Sequence, residues 1–182
     1  KNEVGWFYCS KNATEVDRYV IFNYLENVWF YGSLTRTAWL DASTENYPRA
    51  VSDGYVYQHE LGFNDDGSPM TNVFIESSDF DLGDGQDFAF LQKIIPDFKF
   101  LQNDNSGNVN IVVKTRNFPG DSLTVDSTSA IAANSQQAFV RSRARQIVLR
   151  FESDDDATAD GNLSIGWRLG ATRIDIKPDG RR

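Results

Sequence analysis

Three arginines, Arg141, Arg143 and Arg145, stand at every second position of FVRSRAR (139–145). On an extended strand that spacing puts all three side chains on one face. Adjacent cations repel unless carboxylates, carbonyls or another chain face them. The candidate partners are acidic strands of the same domain, a neighbouring subunit and nucleic acid, the last disfavoured by the charge of the rest of the chain. WRLGATRIDIKPDGRR (167–182) adds Arg168, Arg173, Lys177, Arg181 and Arg182. Residues 1–138 carry nine Lys/Arg against nineteen Asp/Glu, whereas residues 139–182 carry nine against seven, so a chain of net charge −8 ends slightly basic. Tight binding to phosphates needs many neutralising cations, and most of this chain offers the opposite sign.

Other candidate chemistry is sparse. His59 is the only imidazole, so a Ser-His or Cys-His relay would have to run through it. In VYQHELG it alternates with Tyr57 and reads as a loop anchor held by hydrogen bonds. No GxSxG, HExxH or P-loop pattern is present, and no carboxylate pair stands out for glycoside hydrolysis. DFDLGDGQD (79–87) begins like an EF-hand loop but places Asp84 where the sharp turn needs glycine. This segment and SDDDATADG (153–161) read as solvated turn tips, with Ca²⁺ in an irregular loop as the alternative. The single Cys9 excludes an internal disulfide and is expected to be a small buried side chain. These residues predict neither an enzyme, a cofactor nor a metal site. Trp6, Trp29, Trp39 and Trp167 are expected in the core, with carbohydrate stacking as the alternative.

The elements that would position these residues read as all-β. Thirteen Phe, seven Tyr and four Trp favour strands over helices. Strand candidates in the first third are 3–9, 17–24, 27–32, 36–41 and 55–60, with a hairpin turn at 24–27 in which Asn27 takes positive φ. Four short strands in about forty residues match one β-propeller blade, so residues 1–67 are expected to form an incomplete blade or a small antiparallel sheet. The turn-rich NDDGSPM (64–70) marks the boundary. Residues 68–182 then offer strands at 71–78, 86–95, 97–101, 108–116, 136–143, 145–153, 163–169 and 172–177, enough for a β-sandwich or jelly roll. QDFAFLQKII (86–95) has a helical alternative, which the Phe88/Phe90 alternation and Pro96 disfavour. The Ser/Thr/Ala-rich stretch 120–136 reads as a long loop, and mixed faces along 139–151 suggest a bulge or register change near Arg145. No run approaches the ~20 apolar residues of a membrane span.

Several of these segments together resemble a known family. They are WFYCS with DRYVIFNYLENVWFYGSLTRTAWLD (6–41), DGYVYQHELGFNDDGSP (53–69), FIESSDFDLGDGQDFAFLQKIIPD (74–97), FVRSRARQIVLRFES (139–153) and WRLGATRIDIKPDGRR (167–182). The pattern is similar to the C-terminal portion of tail nozzle or tail-hub proteins of short-tailed bacteriophages, also called packaged-DNA stabilisation proteins. The resemblance implies a non-enzymatic virion component that combines a β-propeller with sandwich-like domains. It implies a homo-oligomeric ring of about six copies below the portal and adaptor, meeting other tail proteins such as adaptor, fibre or needle proteins. DNA would pass through without sequence-specific binding, past an acidic wall that leaves it free to slide. In this setting Arg141, Arg143, Arg145, Arg168, Arg173, Arg181 and Arg182 are expected to stabilise subunit or partner contacts rather than grip DNA. The competing expectation is a carbohydrate-binding β-sandwich module of a phage or bacterial surface protein.

Overall fold

The computed structural model describes residues 2–66, 68–101, 108–154 and 165–181. Every regular element among them is a strand, and the strands form several small antiparallel sheets, none closed into a barrel. The chain divides into two compact units, Lys1–Gly62 and Phe63–Arg182. The division precedes the turn-rich segment expected to carry it. Those residues instead form a minimal hairpin of the second unit, β7 (Asn64–Asp65) with β8 (Ser68–Pro69).

The first unit holds two three-stranded meanders. β1 (Glu3–Tyr8), β2 (Arg18–Asn23) and β3 (Val28–Ser33) pair in sequence order. Asn27 closes the β2–β3 hairpin at φ 56°, while Asn23 Oδ1 accepts the backbone N–H groups of Leu25 and Glu26, both at 3.1 Å. Gly32 sits opposite Tyr19 and leaves room for the phenol ring, which occupies the space a Cβ would fill. β4 (Ala38–Leu40), β5 (Arg49–Ser52) and β6 (Tyr55–Gln58) form the second meander. A four-stranded blade is therefore not what residues 3–41 build, because β4 pairs with β5 instead of β3. The local cause is the Asp53-Gly54 turn, with both residues at positive φ (50° and 81°), a two-residue hairpin that draws β5 and then β4 onto β6.

The second unit contains two larger sheets that share one core. One is ordered β13-β12-β15-β9, from β9 (Phe74–Glu76), β12 (Asn108–Arg116), β13 (Thr124–Ala132) and β15 (Gln146–Ser153). The other is ordered β14-β10-β17, from β10 (Ala89–Ile95), β14 (Ala138–Ala144) and β17 (Arg173–Pro178). Val109, Ile111, Val113, Ile147, Leu149 and Phe151 of the first sheet meet Leu91, Ile94, Ala138, Val140 and Ala144 of the second in one buried cluster. Each fully buried aliphatic side chain there contributes ~1.5–3 kcal/mol. A small pair, β11 (Phe98–Phe100) with β16 (Trp167–Leu169), packs Phe98, Phe100, Trp167 and Leu169 against that cluster.

Two details correct or refine the sequence reading. Residues 120–136 are not one long loop: nine of them form β13, paired along most of β12. Its core-facing residues, Ser127, Ser129 and Ile131, stand opposite Val113, Ile111 and Val109. The ladder is made by backbone groups whatever the side chain, and small hydroxyl residues give no apolar contrast to mark the strand in the sequence. In β10 the register shifts between Leu91 and Lys93, a bulge that interrupts strand alternation and accounts for the helical alternative at 86–95. Near Arg145 the chain bends out of one sheet and into the other, between β14 and β15.

Candidate functional site

Alternation along β14 is complete: Ala138, Val140, Ser142 and Ala144 are buried, and Phe139, Arg141 and Arg143 are exposed. Arg145 lies past the strand, in the bend, and so does not share that ladder position. The structure gathers Arg143, Arg145 and Arg181 at the end of the sheet where β17 runs out. Arg143 Nε donates to Asp179 Oδ2, and its Nη2 donates to the Asp179 carbonyl at 2.9 Å. Its guanidinium also lies 4.0 Å from the centroid of the Phe88 ring. Arg145 stands between Phe88 and Phe118, at 5.0 and 5.2 Å, and its Nη2 is 3.5 Å from the Arg181 carbonyl. Arg181 Nε donates to Asp87 Oδ1 at 3.1 Å. Backbone bonds between Phe88 and residues 179 and 180, both 2.7 Å, extend the ladder through this point. The result is a latch in which three predicted arginines bind carboxylates, carbonyls and aromatic rings of their own chain.

The other predicted arginines lie elsewhere. Arg141 and Arg173 project from β14 and β17, and Arg168 from β16; none forms an ion pair with a described residue. Arg182 lies outside the described residues. Register assigns Arg141, Arg143 and Phe139 of β14, Lys93 of β10, and Arg173, Asp175 and Lys177 of β17 to one outward face. The sequence singled out Lys177 only as part of the basic segment 167–182 and Lys93 not at all, because only cross-strand register brings them beside the arginines.

The outward face of the four-stranded sheet is charge-balanced by contrast. Lys114 Nζ reaches Glu76 Oε2 at 2.6 Å, and Arg150 Nη1 reaches the same oxygen at 3.4 Å. Arg150 Nε donates at 2.5 Å to Glu152 Oε2, and its guanidinium lies 3.7 Å from the Phe74 ring centroid. The Lys114 hydrogen bond, with Arg150 adding to it, holds the Glu76 carboxyl below its ordinary range against the opposing effect of burial. Asp79 is likewise lowered by its hydrogen bond from Arg116. Asp79, the first residue of the 79–87 segment, is thus engaged in an ion pair with Arg116 of β12, and Asp81 Oδ2 lies 2.8 Å from where a Cβ on Gly85 would stand. Among the described residues, no three His, Cys, Asp or Glu side chains gather as a metal site. Most of 153–161 lies outside the described residues.

In the first unit, Arg36 Nε donates to His59 Nε2 at 3.1 Å, and the imidazole lies 4.8 Å from the Trp39 ring. The backbone N–H of His59, one residue past the end of β6, donates to the Pro48 carbonyl at 2.8 Å. A shallow cavity of about 310 Å³ lies along Asn12–Asp17 and Thr35–Thr37, where Ser10 donates to Asp17 and depresses its carboxyl. The tryptophans depart from expectation. Trp167 packs against the core cluster and donates Nε1–H to Ser153 Oγ at 2.9 Å, but Trp39 is 39% exposed, Trp6 48% and Trp29 59%. Trp6, Trp29, Phe22 and Tyr31 share one face of the β1-β2-β3 sheet by register, with Trp6–Trp29 centroids 6.0 Å and Phe22–Trp29 centroids 4.5 Å apart. Three strands cannot bury both of their faces, and aromatics occupy both here. Cys9 is also exposed, since it falls just beyond the end of β1.

No helix among the described residues is long and apolar enough to cross a membrane. Comparison with protein-family models finds no match, and comparison with curated proteins finds none.

Proposed function

We propose that this chain is a structural, non-enzymatic part of a bacteriophage tail, a protomer of a nozzle or hub ring that forms part of the DNA exit channel and helps retain the packaged genome. The observation that carries the assembly reading is the aromatic face of the first unit, where Trp6, Trp29 and Tyr31 stand 48%, 59% and 73% exposed on one side of a thin sheet. A protein that works alone rarely leaves a contiguous aromatic patch in water, whereas a subunit covers it on assembly. The tail assignment itself rests on the resemblance of the sequence segments. The net charge of −8 suits a conduit that must release DNA rather than hold it.

The latch refines the roles assigned to the arginines. Arg143, Arg145 and Arg181 secure the chain's own last strand, so subunit or partner contacts fall to Arg141, Arg168 and Arg173. Native mass measurement and electron microscopy of the assembly in its source particle test the reading. A ring of about six copies at the tail is expected; a chain located outside the tail refutes it.

The aromatic face also favours a second reading, a carbohydrate-binding module. Trp6 and Trp29, inclined at 27° to one another, offer a stacking surface for sugar rings. A glycan array separates the two: saturable binding that is lost in Trp29→Ser selects the module, and silence selects the tail component.

A further inference from the structure

We propose that the outward face of the β14-β10-β17 sheet docks an acidic surface of a second copy of this chain. The inference rests on the assembly reading and names the contact that would join protomers. The face gathers Arg141, Arg143, Lys93, Arg173 and Lys177, against Asp175 and the latch carboxylate Asp179. Only Arg143 among these cations forms an ion pair with a described residue; Lys177 makes a 3.4 Å hydrogen bond to Gln92 Oε1. The same unit shows what a self-sufficient face looks like, since Lys114 and Arg150 on the other sheet are matched by Glu76 and Glu152. The cationic surplus on one sheet is therefore a local feature, not the habit of the chain.

Charge complementarity identifies the occupant. The whole chain carries −8 with these cations included, so the remainder of every copy is more acidic still. A basic face set against a different, acidic patch is a heterologous contact, the kind that closes rings. Repulsion between the two bodies is screened beyond ~8 Å at physiological ionic strength, whereas pairs in contact are not. Duplex DNA, with a charge every ~1.7 Å, would meet the same acidic remainder at close range along its length. Phe139, 69% exposed beside Arg141, supplies an apolar anchor inside the charged field.

Size sets the strength. Three strands of about six residues cover ~300 Å², well short of the ~800 Å² per partner typical of a stable pair. Contact between two copies is therefore weak and concentration-dependent, and gains persistence only where several such contacts act together.

Sedimentation velocity of the full chain, over a range of protein concentrations at low and high salt, tests this. Association that weakens as salt rises is expected, and the combined variant Lys93→Glu, Arg173→Glu, Lys177→Glu should weaken it about a hundredfold. These side chains lie on the outward face, so circular dichroism should show an unchanged fold; if it does not, the milder Lys93→Gln, Arg173→Gln, Lys177→Gln variant carries the test. Association that ignores the reversal, or strengthens with salt, overturns the proposal while leaving the assembly reading intact through the aromatic face. Capture of a DNA duplex by this face without self-association overturns it in favour of a polyanion. A chain that stays monomeric throughout overturns it as well, independently of the tail assignment, which the source particle decides.

Discussion

If Arg143 holds the end of β17 within its own chain, a double-mutant cycle between Arg143 and Asp179 must show coupling in a protein too dilute to associate. The side chains are 37% and 51% exposed, so solvent weakens their ion pair to ~0.5–1 kcal/mol. Arg143 makes two further contacts that Asp179→Ala leaves in place: the 2.9 Å bond to the Asp179 carbonyl, ~1 kcal/mol, and the stacking on Phe88, ~0.5–1 kcal/mol. Arg143→Ala is therefore expected to cost ~2–3 kcal/mol and Asp179→Ala ~0.5–1 kcal/mol, with the double variant close to Arg143→Ala alone. The coupling is then ~0.5–1 kcal/mol. Urea unfolding read by Trp167, in a background with Trp6, Trp29 and Trp39 replaced by Phe, reports on the unit that holds the latch. Coupling indistinguishable from zero would refute the intrachain latch, and coupling that grows with protein concentration would transfer the contact to a neighbouring subunit.

Three further outcomes follow from the geometry. Ile111→Ala empties a fully buried site and should lower stability of the second unit by ~2–5 kcal/mol, shifting the Trp167 transition while the Trp6 and Trp29 signal stays in place. Gly32→Ala drives a methyl to within 2.5 Å of the Tyr19 hydroxyl, and should destabilise the first meander by ~1–3 kcal/mol, with Tyr19→Ala relieving part of the loss in differential scanning calorimetry. Glu76, Asp79 and Asp17 all bind protons less readily when folded than at their ordinary values of 4.5, 3.8 and 3.8. Their stabilisation is thus complete above about pH 4.5 and is lost as pH falls through the lowered folded values. Urea midpoints should drop between neutral pH and pH ~3, and Glu76→Gln should shrink that drop; an equal drop in wild type and variant would deny Glu76 its share.

Much of the fold was legible because strands announce themselves by period. β12 occupies the residues its Val/Ile alternation predicted, and β10, β14, β15 and β17 lie within two or three residues of expectation. The same parity correctly placed Arg141 and Arg143 on one face, but parity continues only while the strand does, and Arg145 falls at the bend. β5, Arg-Ala-Val-Ser, is too short and too poor in aromatic or β-branched residues to stand out, although Asp53-Gly54 was a usable hairpin signal. The partners of the arginines were beyond local reading. Asp179 lies 36 residues from Arg143 and Asp87 lies 94 from Arg181, so only the folded ladder identifies them. Exposure of Trp6 and Trp29 was missed for a related reason: an aromatic residue reveals its face of the sheet, not whether a second layer covers that face.

The placement of the latch has a mechanical consequence. β17 is an edge strand that runs antiparallel to β10, and its last residues lie beside the first residues of that partner. Traction on the backbone past Arg181 would peel rungs one at a time, a mode in which a sheet yields at low force. The first rung met by that pull is reinforced by Arg143, Asp179 and the Arg181–Asp87 pair. A strand end joined to a moving neighbour is thereby guarded where tearing would begin.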